Sequence, residues 1–213
     1  MPLRNRVTPL GEIIADAARG TVMGNRGGRI HDGKTRTLTG RRWASRRWIV
    51  CVTDFRGRQR TVMSPESYTE LFFLDEVTAL AAGHRPCFEC RNRDAKAFAS
   101  AFSAGRKIGS MGADEMDRHL HRERCISGAG PTGIKPAEID SLPVGAMIEA
   151  NQVLMAATPS GWLVWTISGY RSSTSSDMQQ MFQAQSLRLL TPGSTVAALR
   201  AGYTPQFHPS ATA

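Results

Sequence analysis

The apolar positions of this chain recur in short runs that switch between helical and strand-like spacing. Leu10, Ile13, Ile14 and Ala17 recur at helical spacing and Gly20 follows as a stop, so a short packing helix is expected near the N-terminus. The glycine-rich stretch after it, TVMGNRGGRIHDG, reads as a loop. Residues 46–63 read as a β-hairpin: RRWIVCVTDF is rich in β-branched and aromatic residues, FRGR supplies a glycine turn, and QRTVM returns. In that reading Trp48, Val50 and Val52 share one face, and Ile49, Cys51 and Thr53 the other. YTELFF follows as an extended, buried segment.

Asp75 is placed to cap a helix over residues 76–82, Gly83 suits the left-handed position after it, and Pro86 keeps the helix from resuming. A second helix is expected over 92–102, with Ala95, Phe98, Ala99 and Phe102 as its apolar stripe, and a third over 114–125. From Leu142 the pattern changes to three strand-like runs split by Asn151, by Pro159-Ser160-Gly161 and by Gly169. RSSTSSDMQQ reads as a polar loop, SLRLLTP as a last strand, and the tail as one more short helix.

The expected class is therefore α+β. A β-hairpin and short helices surround a Cys-x-x-Cys site in residues 1–136, and residues 137–213 form a small β-rich module with a C-terminal helix, as two units or as one integrated domain. VAALRAGYTPQF near the C-terminus matches VTALAAGHRPCF at a constant offset, in Val, Ala, Leu, Ala, Gly, Pro and Phe. Helix, glycine and proline are stop chemistry used twice; Cys87 and Cys90 belong to the first copy alone.

Charge changes the picture locally. The formal net charge is +9, and residues 26–60 hold eleven basic residues against Asp32 and Asp54 alone, so this segment accounts for the whole excess. Arg36, Arg41, Arg42, Arg46, Arg47, Arg56, Arg58 and Arg60 would give it planar, permanently charged donors for phosphates, which makes nucleic acid, DNA ahead of RNA, the expected partner. Trp43 and Trp48 are candidates to stack on bases if exposed. No run of about 18 apolar residues occurs, so no membrane partner is expected and the cytoplasm is the expected location. In that compartment four cysteines favour metal or redox roles over structural disulfides.

Cys87 and Cys90 in a tight turn suit two corners of a tetrahedral Zn²⁺ site. His121 and Cys125, four apart on one helix face, are the expected other two ligands, with Asp117 one turn earlier to orient the imidazole. His31, His84, His119 and Cys51 are the alternates.

The stretch FLDEVTALAAGHRPCFECR, about residues 72–91, resembles the second half of the zinc-binding, methyl-accepting domain of Ada-type DNA repair proteins. The resemblance is carried by Ala82, Gly83, Arg85, Pro86, Cys87 and Cys90, with His84 at an aromatic position. It implies that Cys87 and Cys90 are zinc ligands and that a basic surface meets the DNA backbone. The family's other two ligands, its nucleophilic thiol included, come from an upstream Cys-x-x-x-Cys; here that region reads DFRGRQRTV and Cys51 stands alone farther back. The metal role is carried over and the methyl transfer is not.

Three function classes follow. The first is a zinc-stabilised protein that contacts nucleic acid. The second is an enzyme: a metal-dependent hydrolase or nuclease using His31, Asp32 or His121, or a dithiol oxidoreductase. The third is a zinc-stapled interaction module. Whether there is catalysis, and the oligomeric state, stay open at this level.

Overall fold

The computed structural model describes residues 1–58, 61–124 and 130–212. Five strands come first: β1 (Arg4–Val7), β2 (Ile13–Ala15), β3 (Val22–Arg26), β4 (Trp48–Val52) and β5 (Leu71–Phe73). Helix α1 (Glu76–Ala81), the two-residue β6 (Arg85–Pro86), α2 (Asn92–Gly105) and α3 (Ala113–Glu123) follow. Then come β7 (Thr132–Gly133), β8 (Met147–Ala150), β9 (Val153–Thr158), β10 (Gly161–Thr166), β11 (Gly169–Ser172), α4 (Ser175–Phe182), β12 (Leu187–Leu189) and α5 (Gly193–Arg200). The strands form two sheets, a mixed one in the order β2-β1-β5-β3-β4-β6 and an antiparallel one in the order β11-β10-β9-β8-β12-β7. The α+β class holds. Among the described residues no helix is long and apolar enough to cross a membrane.

The expected N-terminal helix is instead the β1–β2 hairpin, closed by Gly11 at φ +79° with its N–H on the Thr8 carbonyl. Four apolar residues in a short run do not separate a helical period from a strand period. The glycine-rich stretch contributes β3, a strand between β5 and β4. Gly24 sits there because a Cβ would lie 2.2 Å from the Ile49 carbonyl oxygen. The expected 46–63 hairpin is half present: β4 forms, but it pairs antiparallel with β3 and parallel with β6, and 61–63 form no strand. Gln59 and Arg60 of the expected return strand lie outside the described residues. The polar run after β11 is α4, begun by a capping box between Thr174 and Asp177 and anchored by Met178 and Met181.

All six residues of α1 are buried, and they serve three cores. Ala79, with Ala82 just past the helix, packs on Val22, Val50, Leu71 and Phe73 of the mixed sheet. Val77 and Ala81 pack on Met147, Ala156, Trp165 and Tyr170 of the antiparallel sheet. Leu80 joins Phe98, Phe102, Met116, Leu120 and Leu199 from α2, α3 and α5. So residues on both sides of position 137 share two of these cores.

The first turn of α1 buries two carboxylates. Asp75 Oδ1 caps the helix at the Thr78 N–H, and its Oδ2 accepts from the Tyr170 hydroxyl at 2.9 Å and the His208 N–H at 3.0 Å. Glu76 accepts from Arg91 at 2.8 Å, the Tyr203 hydroxyl and the Gln206 N–H. The Arg91–Glu76 pair is almost solvent-free, with side chains 2% and 0% exposed. Removing one partner of such a pair strands the other charge. Glu76→Ala should therefore cost about 3–5 kcal/mol of stability. Tyr170→Phe, which removes one bond to Asp75, should cost about 1 kcal/mol. Denaturant midpoints at constant slope check both; equal, small losses would contradict this account.

Candidate metal centre

Sulfur chemistry gathers at the edge of the mixed sheet. Alternation along β4 sends Trp48 and Val50 to one face and Ile49 and Cys51 to the other. β6 runs parallel beside it with Ile49 opposite Arg85 and Val50 opposite Pro86, and the Cys87 N–H bonds the Val50 carbonyl at 2.9 Å. One further step of this register sets Cys87 beside Cys51. The chain then turns: the Arg91 N–H reaches back to the Cys87 carbonyl at 3.0 Å, and Cys90 returns toward the same point. The sulfurs of Cys51, Cys87 and Cys90 lie within 4.8 Å of one another, a group that could hold a metal ion.

The three thiols differ in electrostatics. Cys87 is pulled well below the usual thiol range because the Cys51 and Cys90 thiols donate to it, and the Cys90 and Glu89 N–H groups add to this. The Glu89 N–H lies 3.4 Å from its sulfur. Cys51 is pushed up, chiefly by those same thiol hydrogen bonds and then by burial. Negative charge is thus favoured at Cys87 over its two neighbours.

The sulfurs line a cavity of about 200 Å³ on the Cys51 face of the sheet. Met23, Ile49 and Phe72 supply its apolar wall, and Asn25, Arg58, Glu70 and Glu89 its polar groups. Glu70 is fixed, accepting from the Met63 N–H at 2.7 Å and the Ser67 hydroxyl at 2.6 Å. Thr53, Val62 and Phe72 also line a neighbouring groove with Arg6, Arg19 and Arg36. The thiol cavity therefore borders on guanidinium groups.

Of the four residues proposed as ligands, Cys87 and Cys90 come together, and the sulfur that joins them is Cys51, an alternate. His121 is not a member of this group. Its ring packs edge-on to Trp43 at 5.3 Å and to Trp48 at 6.5 Å, and its Nδ1 faces Arg124 at 3.1 Å. Trp48 faces away from Cys51, which places His121 on the other side of β4. Asp117, expected to orient that imidazole, instead forms a two-pronged pair with Arg85, at 3.0 and 2.8 Å. Cys125 lies outside the described residues.

The other alternates have other partners. His31 binds Thr69 Oγ1 at 2.6 Å and the Ser64 carbonyl at 3.1 Å, so both its nitrogens are in use. Asp32 closes its own loop onto the N–H groups of Lys34 and Thr35. His119 lies beside the Phe102 ring. His84 is completely buried between Trp48 and Phe73, at ring distances of 5.0 and 4.7 Å, on the face away from the thiols.

The opposite face carries a cationic stack. The guanidiniums of Arg26 and Arg124 lie 4.3 and 4.2 Å from the Trp48 ring. Trp48 is fully buried, so it is a core residue and does not stack on bases. Of the arginines assigned to nucleic acid, Arg41, Arg42, Arg46, Arg47, Arg56 and Arg58 are exposed and Arg36 is half-buried. Arg47 pairs with Asp114 and Arg58 with Glu89, both at the surface. Arg60 lies outside the described residues.

The chain matches no protein-family model, no curated protein and no solved structure. The reading of the site rests on its own geometry.

Neither nitrogen of His84 completes a hydrogen bond. Burial, then Arg26 and Arg124, hold its pKa well below 6.5, with carbonyls of Ala79 and Ala82 opposing weakly. The folded protein then binds fewer protons here than the unfolded chain, so this contribution is complete above pH 6.5 and is lost as pH falls below it. His84→Phe keeps the ring contacts and removes two unpaired polar atoms. It should raise stability by about 1 kcal/mol at pH 7.5. The gap to wild type should widen toward pH 5.5. Unfolding midpoints across that range check it, and a gap independent of pH would contradict it.

Proposed function

We propose that this is a zinc-binding protein whose metal is held by the thiolates of Cys51, Cys87 and Cys90, and that it contacts nucleic acid, DNA ahead of RNA, through its arginine-rich segment. The observation that carries the reading is the convergence of a strand cysteine with the Cys-x-x-Cys turn. Zinc–sulfur bonds of about 2.3 Å place the sulfurs of a tetrahedral site roughly 3.8 Å apart. Three sulfurs already within 4.8 Å need only a small inward shift. Soft thiolates select zinc over magnesium or calcium, and N–H donation to Cys87 favours the deprotonated ligand. The likeness of residues 72–91 to the zinc-binding half of Ada-type proteins supports the same roles for Cys87 and Cys90.

Three thiolates are one ligand short of a closed structural site, and among the described residues no fourth Cys, His, Asp or Glu joins the group. The sulfurs face a cavity, so a metal there has room beside it for water or a small donor. Zinc supplies Lewis acidity at such a position. The chain supplies the apolar wall, and Arg58 with Glu70 supplies polar orientation. Exposed Arg58 lines this cavity and half-buried Arg36 the groove beside it, which fits a polyanion laid across the same face.

Metal analysis tests the first half. Wild type should bind one zinc, each of Cys51→Ser, Cys87→Ser and Cys90→Ser should lose it or bind it far more weakly, and His121→Ala should keep it. Cys125→Ser decides closure: retained zinc means the three-thiolate site stands alone, and lost zinc means a fourth thiolate completes it. Zinc retained in Cys51→Ser would sink the reading. For the second half, Arg56→Ala with Arg58→Ala should weaken DNA binding and flatten the plot of log K against log salt by about 2. No DNA binding at low salt would remove that half.

A further inference from the structure

A second cavity, of about 710 Å³, opens on the side of the mixed sheet away from the thiols and shares no lining residue with them. Five guanidiniums line it: Arg4 of β1, Arg26 of β3, Arg41 and Arg42 of the loop before β4, and Arg188 of β12 in the antiparallel sheet. Arg26 is 2% exposed and forms its floor, donating to the Gly11 carbonyl at 2.6 Å and stacked on Trp48. Arg4 is held by its Nε on the Ile13 carbonyl at 2.7 Å, and Arg188 by Glu149. Among the described residues Glu12 is the one carboxylate lining the cavity, while Leu10, Ile14 and Leu38 make an apolar wall.

Converging, partly immobilised guanidiniums match the oxygens of a phosphate, since each offers a planar pair of donors. The volume lies within the range of small-ligand sites, roughly 300–1,000 Å³. A track for a long polyanion would lay its cations along an open face; here they come from both sheets onto one concavity beside apolar side chains. We propose that this groove binds a small phosphorylated ligand of nucleoside-phosphate size, with its phosphates on Arg26, Arg41 and Arg42 and its ring against Leu10, Ile14 and Leu38.

The test titrates the intact protein with ATP by calorimetry at low salt. Saturable binding is expected, weakened about tenfold or more by Arg41→Ala with Arg42→Ala. Both side chains are exposed, so folding is not at stake. Arg58→Ala, on the thiol face, and Cys51→Ser should leave ATP binding unchanged, whatever they do to zinc or DNA. Pyrophosphate should compete and adenosine should not. Absence of saturable ATP binding would overturn the proposal, as would equal losses in Arg58→Ala and the Arg41/Arg42 variant. Tight binding of a hydroxyl-ended oligonucleotide that ATP fails to displace would also overturn it, reassigning the groove to a polynucleotide.

Discussion

The segment that carries Cys87 and Cys90 follows α1, and the buried first turn of that helix is held by its own carboxylates. Two adjacent carboxylates with essentially no exposure are tolerated because five distant donors converge on them. Those donors come from Arg91 beside the thiol turn, Tyr170 of the antiparallel sheet, and Tyr203, Gln206 and His208 of the tail. A hydrophobic core of the same volume would be stable in several packings; a carboxylate deprived of its donors is costly, so only one arrangement satisfies all seven groups. The helix is thereby fixed to the antiparallel sheet, the tail and the thiol turn, and the strand that follows it, Arg85–Pro86, pairs with β4.

That register decides which chemistry sits on which face. Period-two alternation gives β4 a thiol face, with Ile49 and Cys51, and a cationic-aromatic face, with Trp48 stacked on Arg26 and Arg124. A slip of one residue would exchange them, burying Cys51 against His84 and turning Trp48 toward the thiol cavity. Burial pulls the Arg124 guanidinium below its usual pKa, yet the group stays charged at neutral pH. Burial first, and then the charges of Arg26 and Arg124, keep His84 neutral on this face.

Local signals in the sequence were legible and pairings were not. The cap at Asp75 and the glycine stop at Gly83 are written in adjacent residues and appear as read. The third thiol depends on a parallel pairing between segments more than thirty positions apart, which no local spacing encodes; Cys51 therefore looks like a small buried strand residue. His121 is the reverse case. Helical spacing makes it a candidate ligand, but its ring packs on Trp43 and Trp48 and it is not in the sulfur group, while Cys125 lies outside the described residues. The N-terminal hairpin and β3 were masked by glycines and by an apolar run too short to carry a period. The concentration of arginine in residues 26–60 was evident, whereas its division between two faces of one sheet is a property of the fold alone.

The twice-used stop motif shows what the thiols add. Both copies end alike: the His84 N–H reaches the Ala79 carbonyl and the Tyr203 N–H the Ala198 carbonyl, each past a glycine in the left-handed region. Beyond that point the two turns are held differently. In the tail, Gln206, at the position matching Cys87, gives its N–H to the buried Glu76 carboxylate. In the first copy the segment becomes β6, a two-residue edge strand held to β4 by few backbone bonds and to α3 by Arg85 on Asp117. An ion bridging Cys51 to Cys87 and Cys90 would tie that edge strand to its neighbour, so metal affinity and the stability of the edge would be one quantity seen from two sides. The carboxylate secures one copy of the motif without chemistry to spare; the thiols secure the other while leaving a cavity in front of them.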